Sequence, residues 1–349
     1  MSVRSAGRRF FPLDEQMKVR ERHWSEQVAK LASWLSGIVT FEQAQEIMEK
    51  VGQIGISGSS IWRQAQSWGG KYKAIETLYE KKAQGIEGEV EINPSHSLGR
   101  RGVAMDGGMV HIREEGWKEL KVGCVFEIEM RKGYDEHSQA EVELGHAVKN
   151  TYVAHLGGPE VFGWKMWAKA HQCGWLYAQD TISIGDGAVW IWNLVSKHFH
   201  DSRRLVDWYH ATQHLANAVR LLYGEDTPQA HRWYREWSTQ LYLGHADRLT
   251  RVLLQKAKEH PKLRKELLQE SGYFRNNQHR MDYLEMRSEG YPIGSGMVES
   301  AAKQYKSRFT GPGMRWKRTS IEHLLPIRTS IMSGNFDKMW RLAYSSPPN

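Results

Sequence analysis

Only two cysteines, Cys124 and Cys173, occur in the chain. Two thiols cannot build a disulfide framework or a cysteine-based zinc site. Cys124 lies in an alternating apolar run and Cys173 follows a helix-like segment, so both are expected as buried structural thiols. No apolar run approaches the roughly 18 residues that a membrane helix needs. The N-terminus lacks the apolar core of a secretion signal, and a cytoplasmic protein is the expectation. Acid is in short supply as well: 40 Asp and Glu face 48 Lys and Arg, a formal charge of +8. That deficit favours a polyanionic partner, of which nucleic acid is the usual one. No internal repeat is visible, which argues against a solenoid.

What is present is more specific. The 349 residues suffice for one large domain or two modest ones. Fifteen tryptophans are an unusual number. Most recur at amphipathic spacing, which points to core, the alternative being flat surfaces on which bases stack. Residues 1–14 are basic and turn-rich and read as a disordered tail. Residues 15–82 read as helical. There Phe41, Ala44, Ile47, Met48 and Val51 share one side of a helix, and a Gly-containing turn leads to a second helix opened by Ser57-Gly-Ser-Ser with Arg63 near its start. This is the outline of a DNA-contacting helix-turn-helix; a plain helical hairpin has the same pattern. Residues 83–100 are polar and read as a linker.

The character changes at residue 101. Gly102 to Ile112 reads as a strand with a central glycine pair. Trp117 to Met130 reads as a second, in which Leu120, Val122, Cys124, Phe126, Ile128 and Met130 alternate with mostly polar residues. Residues 148–156 fit a third strand, and Pro159 to His171 a helix. Short strands follow within Asp180–Gly187 and over Arg204–His210. From Ala211 to about Gly290 only helical signals appear. The pattern predicts an α/β fold: a mixed sheet over 101–210, an all-helical insertion over 211–290, and completion of the core over 291–349.

Two acids stand against glycines at strand positions: Asp106 in Met105-Asp-Gly-Gly, and Asp186 in Ile184-Gly-Asp-Gly. A carboxylate there is costly unless a charge pairs with it, and glycine leaves room for a ligand to approach. Asp beside Gly is also a common turn signal. A third acid, Glu299, follows the glycine-rich Tyr291-Pro-Ile-Gly-Ser-Gly-Met-Val and opens a helix. Lys303 and Lys306 fall at i+4 and i+7 on its face, and Val298, Ala301, Ala302, Tyr305 and Phe309 form the apolar stripe opposite. Pairing of Glu299 with Lys303 is the alternative. Oxygen ligands from Asp106, Asp186 and Glu299 would suit Mg²⁺ or Mn²⁺, two ions in all, and an in-line phosphoryl displacement. Asp207 and His210 end a strand; they read as a hydrogen-bonded pair there or as an auxiliary group at the site's border. His210 and His214 at i, i+4 lack the Glu of a zinc-protease helix and read as incidental. The segment Arg308, Arg315, Lys317 and Arg318 is basic.

Taken in order, Phe10-Phe-Pro-Leu-Asp14, Phe41-Glu-Gln-Ala, Asp106-Gly-Gly-Met-Val, Gly116-Trp-Lys-Glu-Leu, Asp186-Gly-Ala-Val-Trp, Asp207-Trp-Tyr-His210-Ala, Pro292-Ile-Gly-Ser-Gly-Met-Val-Glu299 and Gly313-Met-Arg-Trp resemble bacterial insertion-sequence transposases of the DDE class, the ISKra-type family. The resemblance spans nearly the whole chain. It implies an RNase H-like core with an all-helical insertion, and Asp106, Asp186 and Glu299 as catalytic metal-binding acids. Asp207 and His210 match the (Cys/Asp)-x-x-His element of Mutator-like relatives. Lys306 matches the basic residue that follows the glutamate. Arg63, Lys303, Lys306, Arg308, Arg315, Lys317 and Arg318 are expected on DNA. Partners implied are double-stranded DNA, as terminal inverted repeats and target, and a second copy of the chain. Longer members carry a Cys-rich segment ahead of the Phe10 stretch, where this chain has Met1 to Arg9 without cysteine. A DNA-binding derivative that no longer cuts, or a nuclease without strand transfer, would share these motifs.

Overall fold

The computed structural model describes residues 24–86, 99–135 and 139–345. The basic segment 1–14, residues 15–23 of the N-terminal helical region and 87–98 of the linker lie outside the described residues. The chain opens with helices α1 (Glu26–Ile38), α2 (Phe41–Lys50) and α3 (Gly58–Ala83). Strands β1 (Arg101–Ile112), β2 (Gly116–Asp135) and β3 (Ala140–Leu156) follow. Next come α4 (Pro159–Gln172), β4 (Thr181–Gly185), α5 (Val189–His198) and β5 (Arg203–Val206). Then five helices run in succession: α6 (Trp208–Tyr223), α7 (Pro228–Tyr242), α8 (Ala246–Glu259), α9 (Arg264–Asn277) and α10 (Tyr283–Ser288). The chain closes with α11 (Gly296–Phe309), α12 (Arg318–Met332) and α13 (Phe336–Ser345). Contacts divide it into two units, residues 1–75 with 316–349, and residues 76–315.

In the first unit Thr40 caps α2 by a reciprocal box: its hydroxyl accepts from Gln43 N at 3.2 Å and Gln43 Oε1 accepts from Thr40 N at 3.1 Å. Ala32, Leu35, Ala44, Met48 and Ile61 form the core that α1, α2 and the start of α3 share. The connection from α2 to α3 covers 51–57, longer than the turn of about 3–4 residues usual in helix-turn-helix units. Gln45 Oε1 closes it by accepting from Gly58 N at 2.7 Å. Arg63 and Trp62 are exposed on the first turns of α3. A Cβ on Gly69 would fall 2.0 Å from His323 O, and one on Gly37 2.5 Å from Ile331 Cδ1, so α12 lies against both α1 and α3. Trp340 packs on Trp68 with ring centroids 4.4 Å apart. The expected core completion over 291–349 is therefore split: residues from 316 onward belong with the N-terminal helices, because their apolar faces are buried there.

The second unit holds one five-stranded mixed sheet of order β3-β2-β1-β4-β5. β1 and β3 run antiparallel to β2, while β4 pairs parallel with both β1 and β5. The third strand was expected at 148–156 and starts at Ala140, because β2 continues to Asp135 and pairs with it as a long hairpin. Two glycines show what covers one face. A Cβ on Gly123 would meet Met166 and Phe162 of α4, and one on Gly185 would meet Ile191 of α5. A Cβ on Gly108 would instead meet Lys306 of α11, which packs across the opposite face. Gly123 pairs with Met105, and Met105 with Gly185. Successive residues of a strand face opposite ways, so Asp106 faces the side of α11.

Candidate active site

Register puts three acids in one row. Met105 pairs with Gly185, and Gly185 with Val206. The next residue along each strand is Asp106, Asp186 or Asp207. Asp207 N donates to Gly185 O at 2.8 Å, so the ladder holds as far as the row. The fifth strand ends at Val206 rather than at His210, because Asp207 caps a helix. Its Oδ1 accepts from His210 N at 2.8 Å and lies 3.1 Å from His210 Nδ1. Its Oδ2 accepts from Ser295 N, and Trp208 N donates to Ile293 O at 3.0 Å. The glycine-rich run 292–296 is thus tied to the end of β5, and α11 starts from there.

Helix α11 begins at Gly296 with Ser295 as its N-cap residue, one position earlier than spacing suggests. Glu299 is therefore not the N3 member of a capping box. The Ser295 hydroxyl donates to Glu299 Oε1 at 3.2 Å, and His210 Nδ1 stands 3.8 Å from the same oxygen. Val298, Ala301, Ala302, Tyr305 and Phe309 are buried as the apolar stripe requires. Lys303 and Lys306 are exposed and form no ion pair among the described residues. The alternative reading of Glu299, its pairing with Lys303, is thus not found among the described residues.

The electrostatics place the charged groups in one neighbourhood. Burial pushes the Asp106 carboxyl above the usual range, and the charge of Asp186 adds to that; Gly107 N–H, His210 and Lys306 offset it in part. The Gly107 N–H donates to Asp106 Oδ1 at 2.7 Å. His210 is pushed up to about 9, first by its hydrogen bond to Asp207, against burial, with the charges of Asp207, Asp186 and Glu299 adding to the effect. Asp207 is fully buried, which would raise its carboxyl, but the bonds from His210 and Ser295 hold it below the usual value. The raised His210 favours its charged form beside Asp207 and Glu299, and Lys306 adds a second positive charge toward Asp106.

Among the described residues, Asp207, His210 and Glu299 form the group of three whose ligand atoms all lie within 4.8 Å of one another. Asp106, Asp186 and Glu299 do not form such a group. Both oxygens of Asp207 are already taken by N–H donors and none of its surface is exposed, so it is built to hold the backbone rather than an ion. Asp106, Asp186 and Glu299 are partly exposed. All three offer oxygen, a donor set that fits a hard divalent cation; the Asp106 carboxyl is raised first by burial, and the Asp186 charge adds to that from the next strand.

Other expected residues fall elsewhere. Arg308 is buried, with its guanidinium 5.7 Å from the Phe309 ring, and is a core residue rather than a DNA contact. It lies on the stripe side of α11, two residues past Lys306. Arg318 lies 3.5 Å from Glu322 on its own helix. Arg63, Arg315 and Lys317 are exposed. His214 bonds Glu270 at 2.6 Å and stacks on Tyr273, apart from His210. Sequence reasoning missed Tyr273, whose hydroxyl donates to Asp186 O at 3.1 Å from helix α9. It also missed the reason for the glycine pair. A Cβ at Gly108 would fall 2.6 Å from Lys306 Cε and one at Gly107 2.9 Å from Glu119 Oε1, so the gap admits these side chains.

No family model matches the chain. No curated protein matches it either.

Proposed function

We propose that the chain is a DDE-class DNA transposase of an insertion sequence, with an RNase H-like core interrupted by the helices α6 to α10. The observation that carries the reading is the row of acids: Asp106 and Asp186 stand side by side on adjacent parallel strands, and α11 brings Glu299 to His210, whose ring feels the charges of both Asp186 and Glu299. The strand order β3-β2-β1-β4-β5, antiparallel on one side and parallel on the other, supports the RNase H-like core. Asp106, Asp186 and Glu299 would hold two Mg²⁺ or Mn²⁺ ions, which supply activation of an attacking hydroxyl or water and stabilisation of the leaving oxygen. Lys306 lies over Gly108 and its charge reaches Asp106, which supports a role in holding a phosphate at the acids. Lys303 extends that charge along α11. Asp207 holds His210 and, through Ser295, the start of α11, and so orients Glu299. The exposed Arg63, Arg315 and Lys317, with a net charge of +8, suit duplex DNA: the ends of the element and its target. Two ends must be joined together, so two copies act on DNA, and no helix among the described residues is long and apolar enough to cross a membrane.

The test uses linear duplex carrying the DNA that flanks the coding sequence, incubated with the purified chain and Mn²⁺. Nicked and joined products are expected from the native protein. Asp106→Asn should lower cleavage by on the order of 10²–10³-fold while retaining the mobility shift. Binding without nicks by the native protein would instead support a DNA-binding derivative. Nicks without joined products would support a nuclease. Full activity in Asp106→Asn would remove the reading.

A further inference from the structure

Tyr209 sits between two residues of the acid cluster, Asp207 and His210, and no role described so far uses it. It occupies the first turn of α6 and remains 66% exposed, among the most exposed large side chains of the second unit. Its ring is nevertheless placed. A Cβ on Gly294 would fall 2.9 Å from Tyr209 Cε2, 3.2 Å from its Cδ2 and 3.8 Å from Asp207 Oδ2. The ring edge therefore rests on Gly294 directly in front of the buried Asp207 carboxylate. That contact exists because position 294 has no side chain. The phenol hydroxyl has no hydrogen-bond partner among the described residues. A tyrosine used as core would be buried, and one used as a polar tether would have its hydroxyl bonded. This one does neither; it stands beside Asp207, which continues the row of Asp106 and Asp186, and its turn is held by the bond from His210 N to Asp207 and by that from Trp208 N to Ile293 O.

We infer that Tyr209 is a stacking platform for an unpaired nucleobase next to the phosphate that the acids act on. The inference rests on the transposase reading and deepens it. A base lies one sugar away from its phosphate, so a nucleotide whose phosphate rests on the row that Asp106, Asp186 and Asp207 form can set its base on the ring beside Asp207. A base next to the cut site is freed from its partner at modest cost, and stacking on an aromatic ring repays that cost for any base identity. The contact holds the end of the strand by its π face, not by sequence, as an enzyme that handles different target sequences requires.

The native protein and the variants Tyr209→Phe, Tyr209→Leu and Tyr209→Ala are compared on end-containing duplex in which 2-aminopurine replaces a base beside the cut site. Binding without metal is read by fluorescence, and cleavage with Mn²⁺ by KM and kcat. The native protein and Tyr209→Phe should quench the probe to the same degree. Tyr209→Ala and Tyr209→Leu should leave it bright and raise KM by about 5–150-fold, the range that loss of one base–aromatic stack gives. The Leu variant keeps an apolar group on Gly294, so a loss seen only with Ala would mean packing and not stacking, and would overturn the inference. Unchanged quenching and KM in all three variants would overturn it too, with the transposase reading intact. Failure of the native protein to bind or cut end DNA would bring down that reading itself.

Discussion

Asp106 carries a cost in stability that one substitution can expose. Its carboxyl is held above the ordinary value by burial and by the charge of Asp186, so ionising it in the folded chain is harder than in the unfolded one. The native state therefore binds the proton more tightly, and the ionised group costs stability at neutral pH. Asp106→Asn removes that cost. Without metal it should unfold at a higher temperature than the native chain at pH 7, and the gain should shrink as pH falls and the native carboxyl takes up its proton. A calorimetric scan at two pH values checks both points, and a lower unfolding temperature at pH 7 would mean that the acid supports the fold. Sequence made Asp106 and Asp186 visible through their glycine neighbours, because charge beside Gly in a strand needs explaining. It misled on what the glycines are for: at Gly108 the space is filled by Lys306, which is distant in sequence and arrives on another element. Asp207 was legible as a strand end because Asp with a hydrogen-bonding residue three places on is a cap pattern. Its hold on Ser295 was not, since 88 residues separate the two.

At the scale of elements, the helices inserted after β5 have work at the site. Helix α9 presents Tyr273, whose hydroxyl bonds the main chain of Asp186 and whose ring stacks on His214 at 3.6 Å between centroids. Glu270 on the same helix bonds His214 at 2.6 Å, so α9 and α6 brace the turn after β4 together. Gly187 in that turn has φ +99°, and a Cβ there would fall 2.8 Å from Tyr273 Cε2. Gly187→Ala should thus cost about 1–3 kcal/mol from backbone strain alone. Tyr273→Phe should cost only about 0.5–1.5 kcal/mol, yet lower kcat more than it raises KM, since the bond it removes fixes an acid and touches no substrate. Urea titration and steady-state cleavage read the two together, and an unchanged kcat would show that Asp186 needs no brace. The helical character of 211–290 was plain from its period, as were the strands with alternating residues. Its contact with Asp186 was hidden, because a helix's amphipathic pattern says that a face is buried and not against what. The Trp233–Trp237 pair, at 5.6 Å between centroids, is the local kind of contact that spacing does reveal.

For the whole chain, two kinds of long-range order escaped the sequence: the return of α12 and α13 to the N-terminal helices, and the row of acids set by strand register. Both depend on which apolar faces meet, and composition does not encode that choice. Burial of a ring in the core and the charges at the row of acids both leave a mark on how stability responds to pH. His198, at the end of α5, is buried beside Trp164, with ring centroids 4.7 Å apart, and its value falls to about 4 through burial and the nearby Lys197 charge. In the unfolded chain it returns to about 6.5. Between those values the unfolded state binds a proton that the folded state refuses, so this contribution is complete above pH 6.5 and is lost as pH falls toward 4. His210 works in the opposite sense. Raised to about 9, it contributes stability that is complete below pH 6.5 and is lost as pH rises through 9. The two contributions are both complete near pH 6.5. His198→Phe keeps a ring among its aromatic neighbours and removes the titration, so its unfolding midpoint should depend less on pH between 4 and 6.5 than that of the native chain, by up to about 1.4 kcal/mol per pH unit. Chemical unfolding at half-unit steps across that window measures the difference, and parallel profiles for the two proteins would show that His198 is protonated in the fold.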